Sequence, residues 1–169
     1  MVRYIGRDGF QRVARTVLVG AVPPLMLKTA DNPEGTPIEV FNAIRAGVAT
    51  NPSQFYYDLT LPFYGFNRPR AQLNEGFRLQ GLAGNIKGQY DCVHEFSEVD
   101  YTADLRKFDK PMLIIQGDDD QIVLIKASGE KTARIVKTSI FKVYQGGPHG
   151  LAQTDADRFN ADLLDFIKA

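Results

Sequence analysis

Three short, continuous apolar segments constrain the fold of this 169-residue chain more than any other feature. They span Thr16–Val22, Pro111–Gln116 and Ile140–Tyr144, and each is followed within two residues by Gly, Pro or Asp residues that favour a turn. Continuous apolar runs of this length are typical of strands that are covered on both faces of a parallel sheet. The sequence therefore predicts an α/β fold with about three parallel strands.

Helical patterns lie around these strands. Val2–Arg15 has apolar residues at loosely helical spacing, and Asp155–Lys168 is predicted to be an amphipathic helix. The apolar face of that helix would carry Phe159, Leu163, Phe166 and Ile167. About ninety residues separate the first two strands, far more than one crossover helix requires. Their helical patterns lie at Ile38–Gly47, behind a capping box at Thr36–Glu39, at Pro52–Leu59 and at Asn85–Phe96. This block is predicted to form a lid.

The composition excludes several classes of partner. Twenty basic side chains balance twenty acidic ones, which does not favour a nucleic-acid ligand. No apolar run approaches the roughly 18 residues of a membrane span, and no signal peptide is visible. The single cysteine, Cys92, cannot form an internal disulfide, and it is predicted to be a buried thiol. We therefore expect a soluble protein of the reducing cytoplasm.

Two titratable residues follow the last two predicted strands. Asp120 lies just past the second strand and His149 just past the third, and the carboxyl ends of parallel strands meet at one edge of a sheet. An imidazole can act as a general base when a carboxylate fixes its tautomer. The alternative role for Asp120 is a turn carboxylate that binds its own loop. His94, in a helical stretch without a partner, is predicted to be structural or solvent-facing.

Several motifs resemble one family. Gly117–Val123 and Gly147–Gly150 are similar to the C-terminal part of the non-haem chloroperoxidase and arylesterase (perhydrolase) family of α/β-hydrolases. Supporting stretches are Arg3–Arg7, Val17–Pro24, Tyr90–Cys92 and Asn160–Leu164. The resemblance implies that Asp120 is the acid and His149 the base of a Ser-His-Asp triad. It implies no metal and no cofactor, and it implies a small ester, or a short carboxylic acid with peroxide, as substrate.

The nucleophile of such a triad is not recognisable in the sequence. A hydrolase of this kind carries its serine in a Gly-x-Ser-x-Gly turn between a strand and a helix. None of the four serines has these neighbours; they are Ser53, Ser97, Ser128 and Ser139. The resemblance implies that Arg3–Arg7 belongs to the helix after that turn, so that Met1 falls just downstream of the nucleophile. The isolated chain is therefore expected to be inactive or nearly so.

The same resemblance divides the chain into three segments. Residues 1–24 would be the helix and strand after the missing turn, residues 25–108 the lid helices, and residues 109–169 the C-terminal strands with the acid and base loops. The apolar wall of the acyl pocket would be formed by Val22, Met26, Phe63, Phe96 and Ile125. Each of these also has an ordinary alternative as core or lid packing.

Two hypotheses of function follow. The first is a carboxyl-ester hydrolase with perhydrolase or cofactor-free haloperoxidase activity. The second is a catalytically inactive fragment or interaction module of the same fold. In both, the first strand would expose an unpaired apolar edge, which predicts self-association.

Overall fold

The computed structural model describes residues 1–66 and 75–169. Three strands form one parallel sheet in the order β1 (Thr16–Val19), β2 (Met112–Gly117) and β3 (Ser139–Tyr144). In the register of the sheet, Val17 lies beside Leu113 and Leu113 beside Ile140. The three apolar segments thus form the three strands, and the predicted α/β class with flanking helices is confirmed.

Helices surround the sheet and fill the connection between its first two strands. Five of the described helices lie between β1 and β2, in the block where the sequence predicts helices. The described helices are α1 (Val2–Asp8), α2 (Ile38–Thr50), α3 (Pro52–Tyr64), α4 (Glu75–Leu82), α5 (Ile86–Ser97), α6 (Thr102–Leu105), α7 (Gly129–Ile135), α8 (Leu151–Thr154) and α9 (Ala156–Lys168). None of these helices is long and apolar enough to cross a bilayer.

Several helix ends differ from the predictions. Helix α1 stops at Asp8 rather than Arg15, because Gly9 leaves the helical conformation. The capping box at Thr36 is wrong: Pro37 takes the N-cap position, and the backbone of Thr36 is already bonded to Met26 and Lys28. Helix α3 continues past Leu59. A local sequence pattern cannot show that a neighbouring segment holds a capping residue.

Two side chains are more exposed than predicted. Cys92 lies on an exposed side of α5, so the prediction of a buried thiol is wrong. Ile167 of α9 is 54% exposed, whereas Phe166 beside it is buried. Phe159 and Phe166 pack on the sheet as predicted. The predicted apolar face of α9 is therefore wider than the face that the described residues cover.

Apolar clusters cover both faces of the sheet. On one face Leu18, Met112 and Ile114 pack against α1 and Leu105 of α6. On the other, Leu113 and Ile115 pack with residues of the C-terminal helices. A third cluster joins α2, α5 and the loop after β2; its buried members are Met26, Phe41, Val93 and Val123. This third cluster seats the α2–α5 block beside the loop that follows β2.

Candidate active site

The loops after β2 and β3 are tied together at the carboxyl edge of the sheet. A Cβ at Gly117 would lie 1.8 Å from the carbonyl oxygen of Gly147, so only glycine fits at this crossing. The Asp119 amide donates to the same Gly147 carbonyl at 3.2 Å. Asp118 Oδ1 accepts a hydrogen bond from the Gly146 amide at 2.6 Å. These contacts fix the two loops against each other, and Asp118 acts as the loop former that its turn position suggests.

The tied loops bring Asp120 and His149 together. Asp120 Oδ2 lies 2.9 Å from Nδ1 of His149, and the carboxylate side chain is fully buried. Its other oxygen, Oδ1, accepts hydrogen bonds from the amides of Ile122 at 2.9 Å and Val123 at 2.8 Å. The alternative role of Asp120, a turn carboxylate that binds its own loop, therefore applies to Oδ1 alone, because Oδ2 is directed to the imidazole.

This contact defines how the His149 ring carries its proton. A carboxylate only accepts hydrogen bonds, so Nδ1 is the protonated nitrogen and Nε2 keeps its lone pair. In residues 1–66 and 75–169 no group hydrogen-bonds to Nε2. The side chain is 19% exposed. The ring can thus accept a proton at Nε2 while Asp120 stabilises the resulting imidazolium.

The end of β1 passes directly beside this pair. Gly20 has φ 49°, and a Cβ there would lie 3.1 Å from His149 Nδ1 and 3.4 Å from Asp120 Oδ2. The Gly20 amide donates to the Ile115 carbonyl at 2.9 Å, which continues the β1–β2 ladder to this point. Sequence reasoning missed Gly20 as a site residue. Its only signal was a glycine at the carboxyl end of a predicted strand.

Helix α3 also holds the loop that carries His149. The Gly150 amide donates to the Phe63 carbonyl at 2.8 Å. The Phe63 ring meets the imidazole of His149 edge to face, with ring centroids 4.7 Å apart. Phe63 therefore contacts the imidazole itself.

A largely apolar cavity of about 670 Å³ lies between α2, α3, α5 and the acid loop. Of the predicted pocket residues, Met26 and Phe96 line it. Val22 packs in the cluster around Met26, and Ile125 is half-buried in the loop before α7. These two and Phe63 lie outside the wall of this cavity. Gln121 and Ile122, which directly follow Asp120 in the chain, also line this cavity.

The side chains of the four serines and of His94 bond to groups other than Asp120 and His149. Ser97 and Ser139 donate to carbonyls of their own segments, and Ser53 pairs with Arg78 on the surface. Ser128 is buried against Gln116. His94 is exposed on α5, in agreement with its predicted solvent-facing position. Within the described ranges, no three His, Cys, Asp or Glu side chains cluster as metal ligands.

Several known proteins are similar to this chain in sequence and in fold. Over its full length the chain is 51% identical to a non-haem haloperoxidase of Rhodococcus erythropolis. The chain belongs to the non-haem haloperoxidase family of α/β-hydrolases. A second member, a bifunctional esterase/perhydrolase of Acinetobacter calcoaceticus, is 45% identical over 98% of the chain. The match spans 64% and 62% of these two relatives, which fits the C-terminal part of a haloperoxidase.

Solved structures agree with membership in the non-haem haloperoxidase family. The crystal structure of a bromoperoxidase from Bacillus anthracis superposes with a TM-score of 0.91 at 37% identity, covering 99% of this chain and 63% of that one. An esterase from Exiguobacterium antarcticum gives a TM-score of 0.92 at 18% identity over 99% of this chain and 62% of its own, and at that identity it supports the fold alone. No protein-family model matches the chain.

Proposed function

We propose that this chain supplies the acid and the base for carboxyl-ester hydrolysis by a Ser-His-Asp triad. The observation that carries the proposal is the 2.9 Å contact between Asp120 and His149 at the carboxyl edge of the sheet. The nucleophilic serine would come from residues outside these 169. The names of the relatives, haloperoxidase and esterase/perhydrolase, support this class of reaction.

In the proposed reaction His149 relays one proton in each of two steps. Its Nε2 takes the proton of the serine hydroxyl as the serine oxygen attacks the ester carbonyl, and Asp120 stabilises the imidazolium. The proton then passes to the departing alcohol oxygen, which leaves an acyl-enzyme. Water gives a proton to the same Nε2 as it attacks the acyl carbon, and that proton returns to the serine oxygen as the acid is released.

Hydrogen peroxide could replace water in the second step of this proposal. Attack of a peroxide oxygen on the acyl carbon gives a peracid and returns the serine hydroxyl, with His149 again receiving the proton. A peracid oxidises halide without a metal or cofactor. The esterase/perhydrolase relative supports this second activity.

The apolar cavity supports a small uncharged ester as the substrate class. We propose that the α2–α5 block, within residues 25–108, is a lid and that Met26 and Phe96 contact the acyl group. Phe63 would close the pocket at His149, which its ring already contacts. The sequence resemblance also assigns Val22 and Ile125 to the acyl wall, but both lie outside the wall of this cavity.

A direct assay tests where the nucleophile lies. The purified 169-residue chain is expected to hydrolyse p-nitrophenyl acetate no faster than buffer, since the four serines are held away from His149. His149→Ala is the matched control and should give the same background rate. Turnover that disappears in His149→Ala would show that a nucleophile within the chain completes the site, against the proposal.

The second candidate is a catalytically inactive fragment or interaction module of the same fold, for which the outer edge of β1 would be the surface of association. Strand β1 lies at the edge of the sheet, and its outer side pairs with no strand among the described residues. We propose that the isolated chain self-associates along this edge.

Residence in the cytoplasm stays a prediction from the single cysteine.

A further inference from the structure

Gln116 is a buried polar residue in the middle strand of the sheet. It is 1% exposed and stands next to last in β2, among apolar neighbours. Burying an amide is costly unless its donors and acceptor are satisfied. Here the Gln116 Nε2 donates to the Val123 carbonyl at 2.7 Å and to Ser128 Oγ at 3.0 Å. Its Oε1 accepts from the Gly129 amide at 3.0 Å.

These partners lie in the loop that carries the acid. The peptide groups of Val123 connect Gln116 to the pair: the carbonyl accepts from Gln116, and the amide donates to Asp120 Oδ1 at 2.8 Å. Ser128 and Gly129 anchor the far end of the same loop, where α7 begins. One side chain of the rigid central strand therefore holds the acid loop at two points.

We propose that Gln116 is a positioning residue, which keeps Asp120 in contact with His149 by fixing the backbone of Val123. The inference rests on the proposed function, because it concerns the same acid and base. Loss of the Gln116 amide frees the Val123 carbonyl to turn toward other donors. The Asp120 carboxylate then loses one of its fixed amide partners, and its hold on His149 Nδ1 weakens.

A second buried amide in this chain serves as the control for a merely structural role. Asn32 is also a buried amide, 5% exposed, and its Nδ2 donates to the carbonyls of Leu25 and Leu27 at 2.9 and 2.8 Å. Its Oδ1 accepts from Lys131. Replacing either amide removes several buried hydrogen bonds and destabilises the fold. Of these two amides, only Gln116 binds the backbone of a residue that in turn binds Asp120.

The tautomer of His149 separates these two roles. The ring ¹⁵N resonances of a histidine report which nitrogen carries the proton, and the chain has only two histidines, so exposed His94 is an internal reference. In the wild-type chain we expect His149 in the Nδ1–H form alone. In Gln116→Leu and in the length-matched Gln116→Met, its two ¹⁵N resonances should move toward each other as the Nε2–H form appears. Asn32→Leu should lower stability and leave them unmoved.

Each outcome bears on a different claim. Gln116→Leu or Gln116→Met chains that are folded by circular dichroism and keep the wild-type ¹⁵N resonances of His149 overturn the positioning role. A shift of equal size in Asn32→Leu overturns it too, since any loss of stability would then suffice. A wild-type chain already in the Nε2–H form contradicts the Asp120–His149 pair itself, and with it the proposed function.

Discussion

At the residue scale, the charged pair that joins β3 to α9 shows how partly buried groups stabilise this chain. Lys142 Nζ lies 2.6 Å from Asp162 Oδ1, and the Tyr144 hydroxyl donates to Asp162 Oδ2 at 2.7 Å. Burial alone would raise the pKa of Asp162, but these two hydrogen bonds outweigh it, and the pKa is lowered. Burial, and then the bond to Asp162, raise the pKa of Tyr144. The ionised carboxylate is therefore the form that the folded chain prefers.

We predict that replacing the Asp162 carboxylate causes a loss of stability that depends on pH. Because the folded pKa of Asp162 lies below the unfolded value of about 3.9, its contribution is fully present above that value and is lost as pH falls through the folded pKa. Asp162→Asn should lower the free energy of unfolding by about 1 kcal/mol near neutral pH. The difference from wild type should shrink as the pH falls below the unfolded pKa and through the lowered folded pKa of Asp162.

Urea unfolding of both chains across this pH range checks the prediction. Asp165→Asn is the control, since it removes the same charge from an exposed position of α9 and should change stability by less than about 0.5 kcal/mol. An Asp162→Asn deficit that is as large in acid as at neutral pH would argue that lost packing, rather than the carboxylate charge, causes it.

At the element scale, the crossing of the loops after β2 and β3 depends on Gly117. Since a Cβ there would meet the Gly147 carbonyl at 1.8 Å, Gly117→Ala must push the loops apart and should destabilise the fold by about 3 kcal/mol. In Gly88→Ala the new Cβ meets nothing closer than 3.8 Å inside α5, and the chain should gain about 0.5–1 kcal/mol. Equal stabilities of these two variants, measured by urea unfolding, would show that the loop crossing tolerates a side chain.

The sequence predicted the strands of this fold better than the ends of its helices. The three strands were predictable because each is a continuous apolar run, and Asp120 and His149 because their loops follow neighbouring parallel strands. Helix ends were less predictable. At Thr36 a bridge to Leu27, distant from the helix pattern, displaces the expected cap.

Site residues that act through tertiary contacts were harder still to find. Gln116 and Gly20 were missed because an amide in a strand and a glycine at a strand end acquire their roles only when the acid loop lies beside them. Phe63 was assigned to the acyl wall from the resemblance, and the fold brings its ring to His149. Motif and topology therefore predicted that Asp120 and His149 lie together, whereas the residues that contact this pair could be found only in the fold.

At the scale of the whole molecule, the outer edge of β1 is the least protected part of the sheet. The amides of Thr16 and Gly20 donate toward β2, so those of Val17 and Val19, alternating with them, point away from it. Strand β1 contains no charged residue or proline that would discourage pairing with another chain. On the opposite edge, the Val143 carbonyl accepts a hydrogen bond from Arg158 at 3.4 Å.

This asymmetry predicts association through β1. The chain should form dimers or larger species whose mass rises with concentration in light scattering coupled to size exclusion. Val17→Pro, which removes an outward amide, should shift the chain toward monomer, whereas Val143→Pro on the other edge should not. A wild-type chain that stays monomeric at every concentration, or an equal effect of the two prolines, contradicts pairing along β1.

The central claim, that Asp120 and His149 of this chain serve ester hydrolysis, is tested most directly in a completed enzyme. The part of the Rhodococcus haloperoxidase that this chain does not match can be joined to it, and kcat/KM for p-nitrophenyl acetate measured with and without Asp120→Asn. We predict that the joined protein hydrolyses the ester and that Asp120→Asn lowers kcat/KM by about 10⁴-fold, as loss of the wild-type tautomer requires. A folded, active protein whose rate is unchanged by Asp120→Asn would contradict the account.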